Sequence, residues 1–96
     1  MTKIPNNLSQ SQRNRDRAEA GLQALAAYWA IKNPDVEPMD ADCEGYETLI
    51  DLLTDLRHWA SDNCIDYDEA DRLADDHFDH ELHQEVAELG KEGRAT

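Results

Sequence analysis

Between Tyr46 and Trp59 the chain sets Leu49, Ile50, Leu52, Leu53 and Leu56 at steps of one, two and three, and Ala60 extends the series. These residues gather on one broad side of an α-helix, where positions three and four apart are neighbours. A strand would need strict alternation, and no stretch of the chain offers it. The stripe is wider than one narrow seam, so this helix is expected to pack against two or more neighbours as the central element. Asp40, Asp42, Glu44 and Glu47 crowd its start, where the helix dipole favours anions. The pattern predicts a helix over 44–63.

Two further helices flank it. Leu22, Leu25, Ala26 and Trp29 follow the i, i+3, i+4, i+7 rule, and Asn33-Pro34 stops the run. Ser9 followed by Gln12 is a capping-box signal, which puts the first helix at 9–32. Arg13 and Arg17 sit one turn apart at an end where cations oppose the dipole, so secure helix is expected only from near Arg17. Lys32 to Asp42 holds two prolines and reads as a loop. Asp66-Tyr67-Asp68-Glu69 is an acid cap with Glu at the third helical position, and Ile65 precedes it as a staple residue. Ala70, Leu73, Ala74, His77, Phe78, Leu82, Val86 and Leu89 continue that pattern, with Gly90 as the stop, giving a helix over 67–89. The expectation is an all-α, small three-helix domain over 9–90. Helices two and three form a hairpin, helix one packs across it, and residues 1–8 and 91–96 are flexible tails.

With 96 residues there is room for one modest core, and much of the apolar count is alanine. Three short helices do not cover so wide a stripe, so a homodimer is predicted. Charge is divided unevenly. Residues 1–33 carry five cations against two acids, a net of +3, while residues 34–96 carry four against twenty, a net of −16. Regions of opposite sign can attract each other or sort partners by sign. A body this acidic repels nucleic acid and anionic membrane, and attracts proteins with basic grooves. No apolar run approaches a membrane span and no signal segment is visible. Cys43 and Cys64 bracket the second helix, roughly 30 Å apart at ~1.5 Å per residue, too far for a disulfide. Both are expected to be reduced, and the protein cytoplasmic.

Motifs for catalysis are lacking: no Gly-rich phosphate loop, no GxSxG and no HExxH, and both cysteines sit among acids that disfavour the thiolate. No enzyme activity and no cofactor are expected. His77, His80 and His83 recur every third residue, and Asp76–His80 and Asp79–His83 are i,i+4 pairs able to share a metal. His77 and His83 fall ~600° apart around the helix, on different faces, so a solvated polar face is the favoured reading and no metal site is assigned. Asp55 and His58 have the carboxylate-x-x-His spacing of di-iron bundles, but the chain has no second copy of it. Acids dominate the second half: Asp62, Asp66, Asp68, Asp71, Asp75, Asp76 and Asp79 are the expected partner-binding face. Asp68, Asp71, Asp75 and Asp79 share one side of the third helix with Glu85 beside them, and Trp59, Tyr67 and Phe78 are anchors if exposed.

The runs Leu52-Leu53-Thr54-Asp55-Leu56-Arg57-His58-Trp59, Ile65-Asp66-Tyr67-Asp68-Glu69-Ala70 and Ala74-Asp75-Asp76-His77-Phe78 give residues 52–78 a resemblance. The segment resembles small acidic helical proteins encoded on prokaryotic plasmids, prophages and other mobile elements. The resemblance implies a setting and no catalytic residues; that setting favours inhibitors of the anti-CRISPR or anti-restriction type. The expected function is therefore an acidic protein-binding module, a nucleic-acid mimic blocking a basic groove of a host DNA- or RNA-binding protein. The alternatives are a small dimeric accessory or regulatory protein that works through Arg13, Arg15 and Arg17 of its first helix, and a metal-responsive His-cluster protein.

Overall fold

Helix ends in this chain are fixed by side chains that satisfy the backbone groups a helix leaves unpaired. Ser9 Oγ accepts from the Gln12 amide, and Gln10–Lys32 becomes α1. Asp40 accepts from the Asp42 amide while Glu44 reaches back to the Asp40 amide, and Ala41–Asp62 becomes α2. Asp66 Oδ1 accepts from the Glu69 amide and opens α3, Tyr67–Ala95. The computed structural model describes residues 9–95, with side chains described for 9–90. The tail expected over 1–8 lies outside the described residues, as does Thr96.

Four boundaries differ from expectation. α1 is helical from Gln10, ahead of Arg17, because the arginine repulsion is relieved: Arg13 donates to Gln10 Oε1 and Arg17 turns to Glu81 on α3. α2 begins at Ala41 because Asp40, rather than a later acid, is its cap. It ends at Asp62, with Asn63 as its C-cap. α3 runs through Gly90 to Ala95 in place of a tail from 91, because Gly90 does not adopt the left-handed conformation that would close the helix.

α2 ends in a Schellman closure. The Ile65 amide donates to Ala60 O at 2.9 Å and the Cys64 amide to Ser61 O at 3.3 Å, with Cys64 at φ 56°. This left-handed position usually belongs to glycine, and a side chain there is strained. The closure turns the chain directly into the Asp66 cap of α3.

Packing is built on α1, which contacts both other helices more extensively than they contact each other. Its C-terminal half lies against α2 and its N-terminal half against the end of α3. The expected three-helix all-α architecture, with helix one across helices two and three, is what forms. Side-chain links between α2 and α3 cluster by their turn, where Arg57 pairs with Asp68 at 3.0 Å and stacks on Tyr67. The interior is thin: among the described residues Ala60 is the one buried apolar side chain, and no large side chain is fully buried.

Candidate protein-binding surface

The positive start of α1 and the acidic end of α3 meet within the chain. Gln10, Asn14 and Arg17 are spaced four and three apart, as are Glu88, Glu85 and Glu81 in reverse order, so one side of each helix is presented to the other antiparallel. Glu88 accepts from the Gln10 backbone amide at 2.8 Å, supplying from α3 the anion that the first turn of α1 lacks. Asn14 Nδ2 donates to Glu85 at 2.7 Å and to the Glu81 carbonyl at 3.2 Å. Arg17 Nε pairs with Glu81 at 3.3 Å. Beside this clamp, Ala18, Phe78 and Leu82 line an open groove of about 300 Å³.

A different arrangement holds on the N-terminal half of α3. Asp62, Asp66, Asp68, Asp71, Asp75, Asp76 and Asp79 are all exposed. Asp66 is used as a cap, Asp68 pairs with Arg57, and Asp76 pairs with Arg72, which also holds Glu69. Asp71, Asp75 and Asp79 have no side-chain partner among the described residues. Together with Asp68 they occupy an arc of roughly 80°, about a third of a turn from the clamp side. Glu85, expected near this strip, is instead turned to Asn14. The result is an anionic strip, bare over the two turns from Asp71 to Asp79 and paired with Arg57 at Asp68. Trp59 and Phe78 are exposed on α2 and α3 as anchors would be, whereas Tyr67 is half-buried beneath Arg57.

The arginines of α1 are engaged locally. Arg13 donates to Gln10, Arg15 to Ser11 and Gln12, and Arg17 pairs with Glu81. Among the described residues no three His, Cys, Asp or Glu side chains come together to hold a metal. Of the considered pairs, Asp76 turns to Arg72 and His83 Nδ1 meets the Asp79 backbone carbonyl, while Asp79 and His80 join no cluster. Both cysteines are exposed and free, at opposite ends of the unbroken α2.

One cluster escaped the sequence reading. Tyr28 donates its hydroxyl to Asp55 at 2.6 Å, and Lys32 reaches the same carboxylate oxygen at 3.4 Å. The hydrogen bond to Asp55, then desolvation and the charges of Asp55 and Asp51, push Tyr28 up to about 12. The same bond, with Lys32 assisting, lowers Asp55 below its ordinary value. Asp55 thus joins α2 to α1. The available signal was weak: one tyrosine one turn before a lysine.

No helix among the described residues is long and apolar enough to cross a membrane. Comparison with family models, with curated proteins and with solved structures finds no match to this chain.

Proposed function

We propose that this protein works by binding, through the acidic strip of α3, a protein whose own groove is basic, in the manner of a nucleic-acid mimic. The observation that carries this reading is the contrast within one helix. Glu81, Glu85 and Glu88 are engaged by α1, whereas Asp71, Asp75 and Asp79 are exposed and form no ion pair among the described residues, Arg72 being taken up by Glu69 and Asp76. Like charges one turn apart cost an isolated helix a few tenths of a kcal/mol each, and no ion pair among the described residues offsets that cost at Asp71, Asp75 and Asp79. A row of Arg and Lys on a partner would offset it and would steer association from a distance. Exposed Phe78, on the same helix, supplies an apolar anchor. The setting in this reading is the cytoplasm of a cell hosting a mobile element, and the target a DNA- or RNA-binding protein blocked by the mimic.

The test uses host proteins enriched on heparin, which retains basic grooves. Immobilised wild-type protein should capture a defined member of that fraction and release it to duplex DNA or to added salt. Changing Asp68, Asp71, Asp75 and Asp79 together to Lys should abolish capture while circular dichroism stays helical. Capture unchanged by the reversal, but lost when Arg13, Arg15 and Arg17 become Ala, would overturn this reading in favour of the basic first helix.

A further inference from the structure

We infer that the uncovered apolar side of α2 is the seam of a homodimer, in which a second copy lays its own α2 antiparallel against it. Tyr46, Leu49, Leu53 and Leu56 follow steps of three and four, the spacing of a coiled-coil seam. Ile50 and Arg57 flank one edge of the seam, and Leu52 and Trp59 the other. Its centre lies roughly 140° around the helix from Thr48 and Asp55, the side that α1 holds. α3 touches α2 sparingly. Consequently Tyr46, Leu49, Ile50, Leu53, Leu56 and Trp59 all stand exposed, Tyr46 at 76% and Trp59 at 56%.

Area argues for a copy of the same chain. The molecule exposes 7691 Å², whereas a compact chain of its 10.9 kDa exposes about 5,600 Å². Its radius of gyration is 17.3 Å, against about 12.5 Å for a compact chain of this length. The excess, about 2,100 Å² per chain and shared among all three helices, is large enough to hold the roughly 1,000 Å² that each copy contributes at the lower bound for obligate homodimers. Residues 1–8 offer only Met1, Ile4 and Leu8 as large apolar groups, too few to cover the stripe.

Charge argues the same way. In a chain of net charge −13, no acid falls at a seam or flanking position between Tyr46 and Ala60. Glu47, Asp51 and Asp55 all lie at the outer positions. An apolar stripe free of acids suits a second copy of itself, whereas a basic partner belongs on α3. Antiparallel pairing sets the acid-rich start of each α2 beside the other's C-terminal end, opposing the two dipoles instead of aligning them.

Sedimentation equilibrium of the full chain tests this at roughly 0.05 M and 0.5 M salt. A dimer is expected, tightening with salt because two acidic bodies repel. Partner binding through the α3 strip weakens with salt, so the two surfaces fail independently. Changing Leu53 and Leu56 together to Glu should raise the dimer dissociation constant by at least about a hundredfold. Should that variant not fold alone, the wild-type thiols carry the test. A bifunctional maleimide spanning about 10 Å should link Cys43 of one copy to Cys64 of the other, since antiparallel helices pack 8–10 Å apart. A monomer at both salts up to about 0.1 mM overturns the dimer. So does a dimer indifferent to the leucine changes. Links only between like cysteines overturn the antiparallel seam.

Discussion

The two halves of α3 are both acidic and stand in opposite circumstances. Toward the C-terminus, Glu81, Glu85 and Glu88 are each bound by a group on α1 and hold the fold together. Toward the N-terminus, Asp71, Asp75 and Asp79 face solvent and hold nothing among the described residues. Acidity by itself therefore says little about a helix face; what lies opposite decides whether a carboxylate is structural or available. In this chain α1 lies opposite one half only, so the same residue chemistry builds the molecule at one end and leaves a bare surface at the other.

The largest expected effect breaks the contrast from the bare side. Reversing Asp68, Asp71, Asp75 and Asp79 to Lys should weaken partner capture at least about a hundredfold, with thermal stability lower by about 1–2 kcal/mol through the Arg57–Asp68 pair and the first-turn charge of α3. Loss of helix in this variant would mean that the strip is structural after all. From the clamped side, Asn14→Ala removes a part-buried amide that bridges Glu85 and the Glu81 carbonyl. It should cost about 1–2 kcal/mol, read as a melting temperature lower by several degrees, and should leave capture intact.

The α1–α2 junction sharpens the comparison through pH. Tyr28 sits at about 12 in the folded protein against its ordinary 10, so its bond to Asp55 contributes fully below pH 10 and is lost as pH rises through about 12. Asp55 is lowered, so its contribution is present above its ordinary 3.8 and disappears as pH falls through the lowered value. Ultraviolet titration should find one tyrosine ionising near 12, and Asp55→Asn should bring it back toward 10. No late-ionising tyrosine in the wild type would refute the junction. Smallest of all, Arg17→Ala should cost only about 0.2–1 kcal/mol in thermal melts at low salt, because the Arg17 side chain is largely exposed. A larger loss would mean that charge, more than the Asn14 amide, holds the clamp.

Much of the fold was legible in local chemistry. The caps at Ser9 and Asp66 and the stop at Asn33 all act within a few residues of the helix ends they govern. The misread boundary at Gly90 shows the limit of that logic: glycine ends a helix only when the backbone takes a left-handed turn, and at Gly90 it does not. Cys64, with no glycine to announce it, makes that turn instead.

The sequence by itself determined three helices, their approximate spans, the acidic surplus of the second half and the wide apolar stripe of α2, because periodicity, caps and charge are properties of neighbouring residues. Only the tertiary structure decided which acids are engaged, that Tyr28 and Lys32 converge on Asp55, and that the α2 stripe is left open. Those outcomes depend on where α1 crosses the other helices. That crossing is set by pairings between residues 23 to 78 positions apart, such as Lys32 with Asp55 and Gln10 with Glu88, and local pattern carries no information about them.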